Sequence, residues 1–273
     1  MAQRKAYPAE GGVSPTPDMP SEVTRVVALG ASNLTLGLET VLSAARGAWS
    51  GDFEVLAALG YGRSYGAPSS IAGRTLPGIL QSGLWAELRR LPAARTLGVI
   101  TDVGNDILYG FPPAQIVAWV EEAADRLLAH ARKVVITGLP VHIVSRLSSA
   151  KFLLFRSLFF PPSRVSRDQA FERVGEVNRR LAALAAARGL RLVHLRPEWY
   201  GFDPIHFRPA VWPAAWREIV IGDDPAHAAA PFSALEWALL HTFPPERRWL
   251  FGLEQATRQS GRGLRRGGRL WLY

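Results

Sequence analysis

Ser32, Asp203 and His206 are candidates for nucleophilic attack on a carbonyl carbon, which requires a nucleophile, a base and a group that orients the base. Ser32 carries a hydroxyl group, and Asp203 precedes His206 by three residues in one short stretch. A serine hydroxyl is a good nucleophile only when a neighbouring base takes its proton, and histidine is the usual base near neutral pH. An aspartate bonded to the other ring nitrogen holds the imidazole in one tautomer. We therefore predict that Ser32, Asp203 and His206 form a catalytic triad.

Attack on a carbonyl group leaves negative charge on its oxygen, which hydrogen-bond donors must stabilise. We predict an oxyanion hole made of the Ser32 N–H, the Gly62 N–H and the side-chain amide of Asn105. One such donor is commonly worth about 3–4 kcal/mol of transition-state stabilisation. Gly62 suits a close backbone approach because it has no Cβ. Asp102 and Asp106 lie on either side of Asn105, and we interpret them as structural residues that orient it.

Five short apolar runs predict the strands that must position these residues. Each run is apolar on consecutive residues, so both faces of its strand are expected to be buried, as in a parallel sheet covered by helices. Helical periodicity fills the intervals, most clearly at 167–188, which begins after a capping box at Ser166 and ends at Gly189. The other predicted helices are 34–47, 72–90 and 112–131, and the predicted strands are Val26–Leu29, Val55–Leu59, Leu97–Ile100, Val134–Thr137 and Leu192–Leu195.

This alternation predicts a three-layer α/β/α sandwich with a short parallel sheet of about five strands. Ligands of open parallel sheets bind at the carboxyl ends of the strands. Ser32 follows the first predicted strand, Gly62 the second and Asn105 the third, and the Asp203 and His206 pair follows the fifth. The candidate residues are therefore expected at one edge of the sheet.

The same residues, in this order, resemble the sequence blocks of the SGNH (GDSL-type) hydrolase superfamily of esterases, lipases, thioesterases and carbohydrate deacetylases. Ser32 matches the nucleophile of the first block, Gly62 and Asn105 match the oxyanion residues of the second and third, and Asp203 with His206 matches the final D-x-x-H. The first block reads G-A-S-N where the family usually has G-D-S-L, and the third has valine in place of its first glycine. The resemblance implies an ester or thioester hydrolase that needs no cofactor and no metal.

A second serine offers an alternative nucleophile. The run from Gly62 to Gly66 fits G-x-S-x-G, the nucleophile elbow of α/β-hydrolases, with Ser64 at its centre. That elbow normally follows several strands, whereas only two predicted strands precede it here. It would also leave Ser32 and Asn105 without a role. We therefore interpret Ser64 as a turn residue.

The apolar residues near these blocks favour an apolar acyl group in the substrate. We name Tyr109, Phe155, Phe159 and Phe202 as candidate substrate-binding residues. Two of them belong to 151–160, a run with seven large apolar residues that follows the fourth predicted strand. This run lies in the connection 141–165, and connections longer than about 12–15 residues are often active-site lids. We therefore predict a lid or an acyl-binding wall, with an insertion packed over the sheet as the alternative.

Composition divides the chain into three parts. Residues 1–24 are rich in Pro, Gly and Ser, and we predict a disordered tail there. The hydrolase-like domain is expected at 25–221, with 141–165 as an insertion. Residues 222–273 form an Arg-rich C-terminal extension that is too short for a confident second domain.

Composition also limits the classes of function. The 273 residues contain no Cys, which excludes thiolate zinc sites and cysteine nucleophiles. No apolar signal segment or membrane span is evident, and a cytoplasmic location is the default expectation. The net charge of +9 comes from 32 Lys and Arg against 23 Asp and Glu. No specific nucleic-acid partner is expected, and the sequence leaves the oligomeric state open.

Two functions of other classes stay open at this point. One is a catalytically silent binding module that keeps the SGNH fold. The other is a basic protein that acts on a polyanion or a membrane surface through its Arg-rich tail, because such segments can contact anionic surfaces weakly.

Overall fold

The computed structural model describes residues 24–49, 52–222 and 230–273. The predicted disordered tail lies outside the described residues except for Thr24, which begins the first strand. The strands are β1 (Thr24–Leu29), β2 (Phe53–Ala58), β3 (Ser69–Ile71), β4 (Arg74–Leu76), β5 (Arg95–Ile100), β6 (Lys133–Thr137), β7 (Arg191–Val193), β8 (Arg247–Leu250), β9 (Leu253–Ala256), β10 (Arg262–Gly263) and β11 (Arg269–Leu272). The α-helices are α1 (Ser32–Ala48), α2 (Leu84–Arg90), α3 (Asn105–Leu108), α4 (Pro113–Leu128), α5 (Val141–Arg146), α6 (Ser149–Phe159), α7 (Arg167–Arg188), α8 (Trp212–Val220) and α9 (Ala234–Leu240).

The central sheet has the strand order β10-β11-β2-β1-β5-β6-β7, and every pair in it is parallel except β10 with β11. The five predicted strands are its β2-β1-β5-β6-β7 part. In the register at its centre, Val26 of β1 pairs with Val55 on one side and Leu97 on the other. The predicted parallel α/β fold is confirmed, and β1, which precedes Ser32, lies at the centre of the sheet.

Helices cover both faces of this sheet because its strands are apolar on both faces. Helices α1, α8 and α9 contribute to the core on one face, where Trp216 is fully buried. Helices α2, α4 and α7 contribute to the core on the other face, where Ile116 and Val177 are fully buried. The two apolar cores with the sheet between them make the three predicted layers.

The predicted helix limits are confirmed where strong capping signals exist. Helix α7 begins after a formed capping box, in which Ser166 and Gln169 exchange side-chain to backbone hydrogen bonds, and it ends at left-handed Gly189. The predicted helix at 72–90 is wrong in its first half. Residues there form the antiparallel β3–β4 hairpin, whose turn contains Gly73 at a φ of 77°. Pro77 follows the hairpin, and α2 begins only at Leu84.

The C-terminal segment, predicted as an Arg-rich extension, contributes strands to both sheets. Strand β11 pairs in parallel with β2, and Leu270, Trp271 and Leu272 are buried in the sheet. Strands β8 and β9 join the hairpin in a second, four-stranded antiparallel sheet of order β3-β4-β8-β9. The central sheet therefore has seven strands among the described residues, because the chain returns to cover the edge of β2.

Across the described ranges, no helix is both long enough and apolar enough to cross a membrane.

Candidate active site

Ser32 is the first residue of α1, and a carboxylate from a neighbouring strand end holds this helix start in place. Asp102 follows β5, and its Oδ2 accepts the Ala31 N–H at 2.8 Å and the Leu34 N–H at 3.1 Å. Helix α1 has no side-chain cap of its own, so Asp102 supplies the negative charge that a helix N-terminus favours. The interpretation of Asp102 as a residue that orients Asn105 is therefore wrong: its carboxylate bonds to the start of the Ser32 helix instead.

Asn33 links the Ser32 helix to the loop that carries His206. Its Nδ2 donates to Asp102 Oδ1 at 2.9 Å and to the Ile205 carbonyl at 3.1 Å. Its Oδ1 accepts the Phe207 N–H at 2.9 Å. Both backbone partners in the loop are neighbours of His206 in the chain. Sequence analysis missed this residue, and its only signal was its place next to Ser32.

Asp203 and His206 are paired, as the sequence predicts. Asp203 Oδ2 lies 2.7 Å from His206 Nδ1, and Asp203 Oδ1 accepts the backbone N–H of Ile205 at 2.8 Å and of His206 at 3.3 Å. Burial works to raise the pKa of Asp203, but these hydrogen bonds outweigh it and hold the pKa below its usual value. The carboxylate therefore stays ionised and accepts the ring N–H at Nδ1, which leaves the lone pair of the neutral ring on Nε2.

Gly62 lies in the turn after β2 in a left-handed conformation, with a φ of 65°. A Cβ at this position would lie 2.1 Å from Cδ1 of Ile71 in β3, so only glycine fits without a shift. Its carbonyl oxygen accepts the hydroxyl of Tyr109 at 2.7 Å. Its N–H has no hydrogen-bond partner among the described residues.

Asn105 begins α3 after β5, close to the turn that holds Gly62. Its Nδ2 donates to the Arg63 carbonyl at 3.3 Å, and its side chain is almost fully buried. The neighbouring Asp106 is fully buried and accepts the Tyr65 N–H at 3.0 Å. Burial raises the pKa of Asp106 to about 6, against the opposing effect of its hydrogen bonds with Ser64 and Tyr65. Asn105 is thus fixed to the Gly62 turn at one amide hydrogen.

Arg63 is a buried cation that fixes this turn, and no sequence pattern indicated this role. Its guanidinium donates to the carbonyl oxygens of Pro77 and Leu59, each at 3.1 Å, and also to that of Tyr273. Burial lowers the pKa of Arg63 to about 9. The C-terminal segment therefore helps to position the turn that follows β2.

Ser64 is fully buried in the same turn. Its Oγ accepts the N–H groups of Gly66 at 3.3 Å and Ala67 at 3.1 Å. A hydroxyl engaged in this way stabilises the turn and does not face a substrate. The geometry agrees with the interpretation of Ser64 as a turn residue.

Ser32 and Asn105 share a cavity of about 130 Å³ whose other walls are mostly apolar. Helix α6 closes one side of it with Phe152 and Phe155, which are both buried. The further apolar residues that line the cavity are Ile107, Leu108, Leu139, Pro140, Val144, Leu147, Ala170, Val174, Leu195, Pro204 and Ile205.

The four candidate substrate-binding residues occupy different places. Phe155 lines the cavity, and the ring of Phe159 meets the ring of His206 edge-on at 5.6 Å. Phe202 is 78% exposed and lies 6.1 Å from Phe155, between ring centroids. Tyr109 bonds to Gly62 and does not line the cavity. Of the four, the structure therefore places Phe155 at the cavity and Phe159 next to His206.

Helix α6 is apolar on both its inner and its outer surface. The inner residues Phe152 and Phe155 are buried, whereas Leu153, Leu154 and Leu158 are 51%, 59% and 65% exposed. The segment 141–165 thus combines a packed face with an exposed apolar face beside the candidate site.

Comparisons of the sequence find no matching family model and no matching curated protein. The structure is similar to Est24, a carbohydrate acetylesterase from Sinorhizobium meliloti, at 14% identity, with 72% of this chain and 96% of that chain covered and a TM-score of 0.48. It is also similar to a member of the lipolytic protein G-D-S-L family from Veillonella parvula, at 12% identity, 72% and 97% coverage and a TM-score of 0.44. A third similar structure is TesA, at 20% identity, 74% and 99% coverage and a TM-score of 0.42.

Proposed function

We propose that this chain is a serine hydrolase that cleaves carboxylic esters or thioesters through an acyl-Ser32 intermediate. The observation that carries the proposal is the connection made by Asn33, which follows Ser32 and bonds to the backbone on both sides of His206. A helix start that bears a serine is thereby bonded to the loop that bears a paired histidine and aspartate. Such a connection suits a nucleophile and a base whose distance and relative orientation must stay fixed.

The proposed reaction begins when His206 Nε2 takes the proton of Ser32 Oγ as the oxygen attacks the substrate carbonyl. Asp203 stabilises the imidazolium that forms, and its lowered pKa keeps it ionised for this role. The oxyanion accepts hydrogen bonds from the N–H groups of Ser32 and Gly62 and from the Asn105 amide. The imidazolium then gives its proton to the leaving alcohol or thiol.

Deacylation repeats the same steps with water in place of the serine. His206 takes a proton from water, the hydroxide oxygen bonds to the acyl carbon, and the bond from that carbon to Ser32 Oγ breaks. His206 returns the proton to Oγ, and the acid leaves. Every proton transfer uses a residue of this chain or a water molecule.

The apolar lining of the cavity favours an apolar acyl group as the part of the substrate that binds in it. It begins at Ser32 and Asn105 and is lined mainly by aliphatic and aromatic side chains, including Phe155. Burial of each CH₂ group of an acyl chain there is worth about 0.8 kcal/mol. A longer acyl chain is therefore expected to react with a larger kcat/KM until the cavity is full.

The test is a panel of p-nitrophenyl esters from acetate to decanoate, together with labelling by a fluorophosphonate and mapping of the labelled peptide. The wild-type chain should hydrolyse the esters and carry the label on Ser32. Ser32→Ala should lose the label and lower kcat by about 10⁴-fold or more. Ser64→Ala is the matched control, because it also removes a buried hydroxyl but should keep the label.

Three outcomes would contradict the proposal. A label on Ser64, or full activity of Ser32→Ala, would assign the nucleophile to another residue. A folded wild-type chain without turnover of any ester and without labelling would favour the silent binding module.

A further inference from the structure

A second cavity is lined by two arginines that have no acidic partner among the described residues. Arg74 lies on β4 and Arg248 on β8, and in the ladder Arg74 pairs with Leu250. Because side chains alternate along a strand, Arg248 and Leu250 share a face, and Arg74 projects from that same face. The two guanidinium groups therefore lie on one side of the second sheet.

The cavity that they line has a volume of about 100 Å³ and also contacts Thr35 of α1 and Tyr61. It shares no lining residue with the apolar cavity. Thr35 lies one helical turn after Ser32, and Tyr61 precedes Gly62. The second cavity therefore borders chain segments next to Ser32 and Gly62, and its walls combine the two arginines with apolar side chains such as Leu76 and Phe243.

Neither arginine has a carboxylate within 4.0 Å among the described residues. Arg74 is half-buried and donates to the Tyr61 carbonyl at 3.4 Å, with its guanidinium 5.7 Å from the centre of the Tyr61 ring. Arg248 donates through Nε to the Gln255 amide oxygen at 3.0 Å. Within the part of the chain that the structure describes, most N–H groups of both guanidinium groups have no hydrogen-bond partner and can bind a ligand.

The neighbouring acidic side chains already have other partners. Glu246 accepts the Gly83 N–H at 3.0 Å, and Glu254 accepts from Arg247 at 2.6 Å. Burial lowers the pKa of Arg74, and the positive charge of Arg248 adds to the effect. Two partly buried cations side by side repel each other, and a bound anion would remove that repulsion.

We propose that Arg74 and Arg248 bind a phosphate group on the leaving-group part of the ester substrate. Guanidinium groups present parallel N–H donors that match the oxygens of a phosphate, and two of them can hold a dianion. In this arrangement the acyl chain occupies the apolar cavity while the alcohol or thiol part extends past Gly62 towards β4 and β8. This inference rests on the proposed function and assigns a role to the C-terminal segment that supplies Arg248.

The kinetic test uses two substrates with the same acyl chain, monobutyryl glycerol and monobutyryl glycerol 3-phosphate. The wild-type chain should prefer the phosphorylated ester by about 10-fold or more in kcat/KM. Arg74→Gln and Arg248→Gln should each remove most of that preference through KM. Arg247→Gln is the matched control, because Arg247 is exposed, pairs with Glu254 and should keep the preference.

A binding test without turnover separates this inference from the proposed function. Inorganic phosphate should raise the Tm of the Ser32→Ala chain, and the rise should disappear in Ser32→Ala/Arg248→Gln but persist in Ser32→Ala/Arg247→Gln. If both esters react equally and phosphate leaves the Tm unchanged, the anion site is refuted while the hydrolase stands. If no ester reacts but phosphate raises the Tm through Arg248, the anion site stands and the proposed function fails.

Discussion

Replacing Asn33 by alanine tests whether the connection between the Ser32 helix and the His206 loop positions the base. The change removes three hydrogen bonds, to Asp102 Oδ1, the Ile205 carbonyl and the Phe207 N–H. It leaves the pair of Asp203 and His206 and the start of α1 chemically intact. The His206 loop then loses its side-chain bonds to the helix that carries the proposed nucleophile.

The expected magnitudes follow from the bonds lost. The two neutral bonds are worth about 1 kcal/mol each and the bond to the Asp102 carboxylate about 1.5–3 kcal/mol, so the free energy of unfolding should fall by roughly 3.5–5 kcal/mol. A displacement of a catalytic group by about 1 Å costs on the order of 100-fold in rate. We therefore expect kcat to fall about 100-fold, with a much smaller change in KM.

The assay measures kcat and KM on a short-chain p-nitrophenyl ester together with the free energy of unfolding in urea. Arg25→Met is the control for stability, because Arg25 bonds to Glu54 and the Pro92 carbonyl at the end of β1 opposite Ser32. The control should lose stability and keep its kcat when it is folded. A kcat of Asn33→Ala that falls no further than that of Arg25→Met would refute the positioning role.

Three further changes test the oxyanion site, the acyl cavity and a buried acid. Gly62→Ala should lower kcat about 100-fold or more, because its Cβ would lie 2.1 Å from Ile71 Cδ1, and an unchanged kcat on p-nitrophenyl acetate would remove Gly62 from the oxyanion hole. Phe155→Ser should lower kcat/KM for the octanoate more than for the acetate, and an equal loss on both with a lowered Tm would make the residue purely structural. Asp106 has a pKa raised to about 6, so the folded chain should lose roughly 3 kcal/mol of stability as the pH rises from about 4 to about 6. Asp106→Asn should flatten that part of the urea-unfolding profile, and an unaltered profile would show that another group titrates there.

The fold was predictable from the sequence where local patterns agree with the tertiary structure. Strands such as β1 and β5 are apolar on consecutive residues because helices cover both faces, and the capping box at Ser166 marks the start of α7. The hairpin at Ser69–Leu76 is short, polar and half-exposed, and its partner β8 lies about 170 residues further along the chain. No local pattern reveals such a pairing.

The sequence indicates candidate reacting groups more readily than the residues that hold them in place. Ser32, Asp203 and His206 have side chains whose chemistry is specific, so their types and order carry information. Asn33 and Asp102 act through hydrogen bonds to residues that are distant in sequence, such as Ile205 and Leu34. Asparagine and aspartate are also common in turns and at helix starts, so their presence alone does not indicate these roles.

Asp102 has an unusual backbone conformation and bonds to the residues around Ser32. Its φ is 58°, a left-handed conformation that costs a residue with a side chain about 1–3 kcal/mol and persists only where surrounding bonds impose it. The carboxylate accepts three hydrogen bonds in return, from Ala31, Asn33 and Leu34. One carboxylate at the end of β5 therefore holds the start of the Ser32 helix directly and the His206 loop through Asn33. The strain at this residue is offset by the bonds that bring the proposed nucleophile and base to the same edge of the sheet.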